Sequence, residues 1–219
     1  GNFTAVGPSG SGKTVFLSTV AAMSQRISPR PRLIFVDKDR GAEIFIRAMG
    51  GQYEVMEAGE ATGFNPFMQD STPVNRDFLF QLLSFMLRKA DGSGLQANEE
   101  QHLREAIATQ MEAPRAQRNF ENFATLLRGK YRAAENDIYS RFQTWKREDQ
   151  DGWLFNNKKD SFELGQIFGF DMTSVLDTPK IRTAALMYIF HRIEQMLDGQ
   201  PTLIFLDEGW RLLDDEVFV

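Results

Sequence analysis

Residues 7 to 14 combine glycine, lysine and threonine at a spacing suited to phosphate binding. They read Gly-Pro-Ser-Gly-Ser-Gly-Lys-Thr and match G-x-x-x-x-G-K-[ST], a loop whose backbone N–H groups wrap around the phosphates of a nucleoside triphosphate. Lys13 would bring a positive charge to the outer phosphates, and Thr14 a hydroxyl that can hold Mg2+. The predicted nucleotide-binding residues are Gly7, Pro8, Ser9, Gly10, Ser11, Gly12, Lys13, Thr14 and Val15.

An acidic pair near the other end of the chain, Asp207 and Glu208, follows the apolar run 202–206. Unbroken apolar runs are typical of buried parallel strands, and functional groups of open α/β sheets lie at the carboxyl ends of such strands. Asp207 is expected to reach Mg2+, directly or through water, and Glu208 to activate the water that attacks the γ-phosphate. The sequence therefore predicts Lys13 and Glu208 as catalytic residues, with Thr14 and Asp207 as magnesium ligands.

Alternating strands and helices are needed to position these groups. Residues 14–25 and a segment that begins at Thr178-Pro179 and ends at Asp198-Gly199 have helical apolar spacing. The strand-like segments are residues 2–6, 32–37, 52–56, 166–172 and 202–206. This order predicts an α/β fold with a mostly parallel sheet. Asp37 to Arg40 follow the second strand, as a solvated loop or as part of the nucleotide site or a subunit interface.

The central part of the chain, from about residue 75 to residue 147, has helical spacing throughout. Its apolar positions recur every three or four residues, with breaks at 91–94 and 113–114. The pattern predicts an all-α insertion in the α/β core. The predicted division is residues 1–74 for the first part of the core, 75–150 for the insertion and 151–219 for the second part.

Composition narrows the class of protein. The chain has 219 residues, 42% of them hydrophobic, which suits one α/β domain with an insertion. It has no cysteine, and no apolar stretch is as long as a membrane span, which predicts a soluble molecule without disulfides or thiolate metal sites. The two histidines, His102 and His191, are expected to have surface or packing roles.

A net charge of −5 argues against a large nucleic-acid surface, because such binding depends on phosphate neutralisation by lysine and arginine. Basic residues do cluster between residues 115 and 147, but acidic residues alternate with them, which is typical of a solvated helix face. Nucleic-acid contact by this stretch is possible but is not supported by charge. The basic residues are Arg115, Arg118, Arg128, Lys130, Arg132, Arg141, Lys146 and Arg147.

Four motifs outside the phosphate loop carry a family resemblance. They are Asp37-Lys38-Asp39-Arg40-Gly41, Thr62-Gly63-Phe64-Asn65-Pro66, Phe170-Asp171-Met172 and the segment from Asp207 to Leu213. Together they resemble the large ATPase of type IV secretion and conjugal transfer systems, the CagE/TrbE/VirB class that is component four of the VirB apparatus. The similarity runs nearly end to end.

The resemblance implies a RecA-like P-loop NTPase core, related to the HerA and FtsK motors, with ATP and Mg2+ as ligands. It implies an ATP-hydrolysing motor that self-associates, often as a hexamer, and works with other secretion components. Its expected location is cytoplasmic, peripheral at the cytoplasmic face of the bacterial inner membrane. There it would energise assembly or substrate transfer.

The chain departs from the family pattern in extent. The resemblance implies a C-terminal motor domain fragment that lacks the family's N-terminal half, the strand with a polar sensor residue and the final helices. Ring ATPases commonly complete their site with an arginine from the next subunit, and Arg40 and Arg182 are the candidates here. Gly209 stands where the family more often has alanine.

Two other functions stay open at this point. One is a DNA-translocating ATPase of the FtsK/HerA type, against which the acidic balance argues. The other is a nucleotide-gated assembly module that binds ATP mainly to organise partner proteins, with little hydrolysis.

Overall fold

The computed structural model describes residues 4–7, 11–128 and 137–207, which fall into two compact units. The first unit takes the described residues of Gly1–Met56, Glu163–Asp177 and Ile193–Val219. The second takes those of Glu57–Phe162 and Thr178–Arg192. The predicted domain limits after residues 74 and 150 stay predictions.

A parallel sheet forms the centre of the first unit, and the predicted α/β architecture is confirmed. Over the described residues it has four strands, in the order β2-β3-β1-β4. They are β1 (Arg32–Asp37), β2 (Gln52–Val55), β3 (Ile167–Asp171) and β4 (Thr202–Leu206). Strands β1 and β3 are buried along almost their whole length, which explains why they read as apolar runs.

The register of the sheet brings the carboxyl ends of its strands to one edge. Asp37 at the end of β1 is the partner of Asp171 at the end of β3, and Val36 is the partner of Leu206 in β4. Residues that directly follow neighbouring strands are therefore neighbours in space, because adjacent strands lie only about 5 Å apart.

Two helices of the first unit are α1 (Lys13–Ser24) and α2 (Glu43–Ala48). They contribute Ala21 and Ile46 to a core that also contains the stacked rings of Phe35 and Phe205, whose centroids are 4.4 Å apart. The remaining buried members of this core are Leu33, Ala42, Tyr53 and Ile167.

The second unit is helical in its described residues. Its helices are α3 (Pro73–Met86), α4 (Ala97–Glu112), α5 (Phe120–Leu127), α6 (Ile138–Lys146), α7 (Gly152–Phe155) and α8 (Pro179–Gln195) up to residue 192. Side chains that accept hydrogen bonds from backbone N–H groups start three of them, at Thr72, Asn119 and Asp137. In its interior the buried rings of Phe67 and Phe123 pack in a tilted arrangement, with centroids 4.7 Å apart.

Two predicted elements have different limits in the structure. Helix α8 ends at Gln195, before the predicted Asp198-Gly199, because Asp198 instead pairs with Arg32 at 3.0 Å and accepts a hydrogen bond from Gln200 N–H. Residues 4–6 of the predicted first strand have no strand pairing, and Val6 is 92% exposed, so it has no core to face. Residues 2 and 3 lie outside the described residues.

None of the helices in the described part of the chain is both long enough and apolar enough to cross a membrane.

Candidate functional site

The phosphate-binding motif leads directly into the first turn of α1. Gly12 is the N-cap residue, with φ +84, a left-handed conformation that glycine adopts without strain. Its carbonyl oxygen accepts a hydrogen bond from Phe16 N–H at 2.9 Å, and α1 begins at Lys13. The first N–H groups of the helix therefore point out of its positive end, where an anion binds.

Lys13, near the end of the motif, contacts Gly7 at its start. Its Nζ donates a hydrogen bond to Gly7 O at 2.8 Å, so the two ends of the motif are in contact. The ammonium group thus lies at Gly7, the first residue of the segment whose backbone N–H groups are predicted to hold phosphate. Pro8, Ser9 and Gly10 lie outside the described residues.

Thr14 lies beside an open pocket of about 390 Å³ in the first unit. Helix α1, from Thr14 to Met23, forms one wall of this pocket together with Arg26, and Gly41 and Phe45 contribute to the other. The predicted magnesium ligand is therefore accessible to a ligand. Val15, the last predicted nucleotide-binding residue, lines the same pocket and is 71% exposed.

Three acidic residues meet at the carboxyl edge of the sheet. Asp37 and Asp171 end β1 and β3, and Asp207 follows β4 with its backbone N–H donating to Val36 O at 2.8 Å. Asp207 thus lies where the sequence predicts, at the end of a parallel strand. Glu208, the predicted water-activating residue, lies outside the described residues.

Asp37 is a buried carboxylate with two well-placed donors. Its Oδ2 accepts hydrogen bonds from Ala42 N–H at 2.8 Å and from the Tyr53 hydroxyl at 2.5 Å. Burial raises the pKa of Asp37, the bonds from Tyr53 and Ala42 oppose that rise, and the charge of Asp207 adds to it. The bond from Asp207 N–H to Val36 O places Asp207 beside the end of β1, where Asp37 lies. Burial, followed by the bond to Asp37, also raises the pKa of Tyr53.

The loop between β1 and α2, residues 38–42, connects these carboxylates with the phosphate-binding segment. Asp39 and Arg40 both have φ +56, a left-handed conformation that is uncommon for residues with side chains. Thr173 holds the loop in place, because its Oγ1 accepts from Asp39 N–H at 2.7 Å and donates to Asp171 Oδ1 at 2.5 Å. Strained residues of this kind persist where surrounding contacts fix them, often at functional sites.

The two candidate arginines have different settings. Arg40 makes a two-pronged ion pair with Glu43, at 2.6 and 3.0 Å, and more than half of its side chain is exposed. Arg40, with Arg47, lowers the pKa of Glu43 to about 2. Arg182 belongs to α8 in the second unit. A role for either in a neighbouring subunit's site stays a prediction.

Sequence reasoning did not assign Tyr53, Asp171 or Thr173 to the site. Asp171 carried a usable signal, because it directly follows the apolar run 167–170 as Asp207 follows the run 202–206. Tyr53 carried no such signal in the sequence. Its partner Asp37 is 16 residues away, and the two side chains come together only because the sheet brings their strands close.

Basic residues of the central stretch are engaged in ion pairs. These pairs are Arg115 with Asp70, Arg141 with Glu99, Lys146 with Glu121 and Arg147 with Asp149. Lys130 and Arg132 lie outside the described residues. Arg115 and Arg147 are more than half exposed, as the predicted solvated helix face requires. Arg141 is only 8% exposed, so the prediction is wrong for this residue, because its partner Glu99 lies inside the helical unit.

The site fits the chemistry of a magnesium–nucleotide complex. The hydroxyl of Thr14 and the carboxylate of Asp207 are hard oxygen donors of the kind Mg2+ uses, and Mg2+ usually combines one or two protein ligands with phosphate oxygens. Within the described ranges, no group of three histidine, cysteine or acidic side chains could hold a metal on its own.

Comparisons with known proteins place the chain among secretion proteins. No family model matches it. Over its whole length it is 36% identical to type IV secretion system protein virB4 of Bartonella henselae and 36% identical to PtlC of Bordetella pertussis. It is 33% identical to virB4 of Brucella suis. The chain spans only 27% of the first of these relatives and 28% of the other two.

A solved structure gives the same assignment of fold. The structure of VirB4 of Thermoanaerobacter pseudethanolicus matches 94% of this chain and 59% of its own, with a TM-score of 0.70 and 17% identity. The RecA-like α/β fold expected from the sequence is thereby confirmed. Sequence identity to virB4 and PtlC along the whole chain confirms the family resemblance as well: the chain belongs, as a segment, to the VirB4 family of type IV secretion system proteins.

Proposed function

We propose that the chain is an ATP-binding and ATP-hydrolysing motor domain that energises a bacterial type IV secretion system, in assembly or substrate transfer. One observation carries the proposal: a continuous series of neighbours runs from the phosphate-binding segment to the acidic edge of the sheet. Thr14 lies close to Gly41, Gly41 lies near Asp37, and Asp207 donates its backbone N–H to Val36, the residue next to Asp37. This continuity within one unit supports a single nucleotide site.

Each residue then has a defined task. Backbone N–H groups of residues 7–15 and the ammonium group of Lys13 bind and orient the phosphates of ATP. Thr14 and Asp207 hold Mg2+, which when bound would neutralise negative charge on the phosphate oxygens. Glu208 accepts a proton from, and orients, the water that attacks the γ-phosphate.

The proposed partners follow from the family. Relatives are named as proteins of secretion systems, which supports other secretion components as partners of this chain. We include self-association into a ring, a hexamer in the full-length protein, in which a neighbour's arginine completes the site. We also include peripheral contact with the cytoplasmic face of the inner membrane.

The deciding experiment compares nucleotide binding and turnover in three variants. Lys13→Ala should abolish ATP binding, because it removes the charge next to the phosphates. Glu208→Gln should keep binding and reduce turnover by about a hundredfold or more, since only the proton acceptor is lost. Lys159→Ala, an exposed lysine of the second unit, is the matched control and should behave as the wild type.

Different outcomes would favour the alternatives. Normal turnover in both Lys13→Ala and Glu208→Gln would refute the proposal. Turnover that DNA stimulates in a salt-sensitive way would favour a DNA translocase of the FtsK/HerA type. ATP binding without any turnover at high protein concentration would favour a nucleotide-gated assembly module.

A further inference from the structure

Gly41 in the loop 38–42 makes an unusually close approach to Thr14. A Cβ atom placed on Gly41 would lie 3.2 Å from Cγ2 of Thr14 and 3.6 Å from Oδ1 of Asp37. Side chains rarely tolerate the first of these distances, so a residue with a Cβ would press on the threonine. The α-carbon of Gly41 therefore lies close to the methyl group of Thr14, with little room for a Cβ between them.

Contact with the methyl group fixes the direction of the hydroxyl. In threonine both groups are bonded to Cβ, and the side chain has only three staggered positions about χ1. If the methyl group is held against Gly41, the hydroxyl is held in one direction as well. That hydroxyl is the predicted ligand of Mg2+.

The loop that presents Gly41 is fixed at both of its ends. On one side Asp37 accepts a hydrogen bond from Ala42 N–H, and the Tyr53 hydroxyl holds Asp37. On the other side Thr173 accepts from Asp39 N–H. These bonds hold two consecutive residues in the left-handed region, which costs about 1 kcal/mol or more for each. A loop kept in a strained conformation by buried bonds is well suited to set the position of its neighbour.

We propose that the loop 38–42 is a positioning element for the magnesium site. Through Gly41 it holds the Thr14 hydroxyl in the direction that a magnesium–nucleotide complex needs. The inference rests on the proposed nucleotide site, and the loop acts only through Thr14. The loop should therefore determine how strongly Mg2+ increases the affinity for nucleotide. The affinity without Mg2+ depends instead on Lys13 and the backbone N–H groups.

The test measures the dissociation constant of ATP by calorimetry, once with Mg2+ and once with EDTA, in wild type and Gly41→Ala. Gly41 does not have a positive φ, so alanine fits its backbone and the substitution acts through its methyl group. We define the magnesium gain as the ratio of the ATP affinity with Mg2+ to the affinity in EDTA. In Gly41→Ala the affinity in EDTA should stay within about twofold of the wild type, while the magnesium gain should fall by about fivefold or more. Gly94→Ala is the control, because Gly94 has open space and no positive φ.

A second variant makes the test specific to the methyl contact. Serine at position 14 keeps the hydroxyl but lacks the methyl group, so Thr14→Ser combined with Gly41→Ala should recover the magnesium gain of Thr14→Ser alone. An undiminished gain in Gly41→Ala, or a double variant whose gain falls clearly below that of Thr14→Ser alone, would overturn the inference. If Gly41→Ala does not fold, Thr14→Ser alone tests the proposal. Its hydroxyl is no longer held by a methyl contact, so the magnesium gain should fall. An unchanged gain would refute the positioning role of the loop 38–42. Absence of ATP binding by the wild type in both solutions would refute the proposed function itself.

Discussion

At the scale of single residues, the hydrogen bond between Tyr53 and Asp37 should contribute strongly to the stability of the first unit. Both side chains are at least 94% buried, and the hydroxyl donates to Asp37 Oδ2 at 2.5 Å. Tyr53→Phe would leave a buried carboxylate with one donor fewer, and we expect the free energy of unfolding to fall by about 2 kcal/mol. Urea unfolding measures this change. Tyr139→Phe removes a hydroxyl from a partly exposed tyrosine of the second unit and should lower the free energy of unfolding much less. Equal decreases in the two variants would contradict the argument.

A buried histidine makes the second unit sensitive to acid. His191 stacks on Phe78 with ring centroids 3.7 Å apart, and its Nε2 lies 2.9 Å from Asn75 Oδ1. Burial, followed by the charge of Arg192, lowers the pKa of His191 to about 4. Because the unfolded chain binds this proton near pH 6.5 and the folded one only near pH 4, stability is lost as pH falls between these values. The loss is up to about 3 kcal/mol.

The acid effect is measured from urea unfolding at several pH values. His191→Gln removes the titrating group, so its unfolding free energy should fall less steeply than that of the wild type between pH 6.5 and pH 4. His102→Gln controls for the loss of a histidine and should keep the wild-type slope. The same slope in His191→Gln as in the wild type would show that carboxylates, rather than His191, cause the acid sensitivity.

At the scale of elements, Arg141 of α6 connects three segments of the second unit. It forms an ion pair with Glu99 near the start of α4 and donates to Leu87 O, next to the end of α3, at 2.7 Å. The side chains of Arg141 and Glu99 are 8% and 15% exposed. Arg141→Leu would leave the largely buried Glu99 without its counter-charge and should lower the free energy of unfolding by about 3 kcal/mol.

A surface ion pair on the same helical stretch provides the comparison. Arg147 pairs with Asp149 at 2.7 Å, but both side chains are more than half exposed. Arg147→Ala should change the free energy of unfolding by less than about 1 kcal/mol. Urea unfolding of the two variants side by side is the measurement, and a larger loss in Arg147→Ala would show that burial does not set the energy of these pairs.

Strand and helix positions were predictable because they depend on local pattern. The apolar run 32–37 stops at an acidic residue, as β1 does, and the spacing of 14–25 predicts α1 to within a residue at each end. What the sequence could not show is the set of contacts that the sheet creates between distant residues. The bond of Tyr53 to Asp37 and the contact of Gly41 with Thr14 require the parallel register and the path of the loop 38–42.

At the scale of the whole molecule, the proposed ring predicts cooperation between copies. Ring ATPases use groups from a neighbouring subunit, so turnover per molecule should rise with protein concentration. In an obligate ring, one inactive member also impairs its neighbours. An equal mixture of wild type and Glu208→Gln should therefore retain clearly less than half of the wild-type turnover measured at the same total concentration.

The mixture experiment has a matched control, and a variant of it can identify the arginine that acts on a neighbouring subunit's site. Mixing wild type with Lys159→Ala at the same ratio should leave turnover unchanged, because that lysine is exposed and lies in the second unit. Arg40→Ala and Arg182→Ala can then each be mixed with Lys13→Ala, which keeps its arginines but lacks a working site. If an arginine acts across the interface, the mixture recovers turnover that neither variant has alone, since intact arginines then face intact phosphate sites. Turnover that is independent of concentration and exactly proportional to the wild-type fraction would mean that each copy works alone.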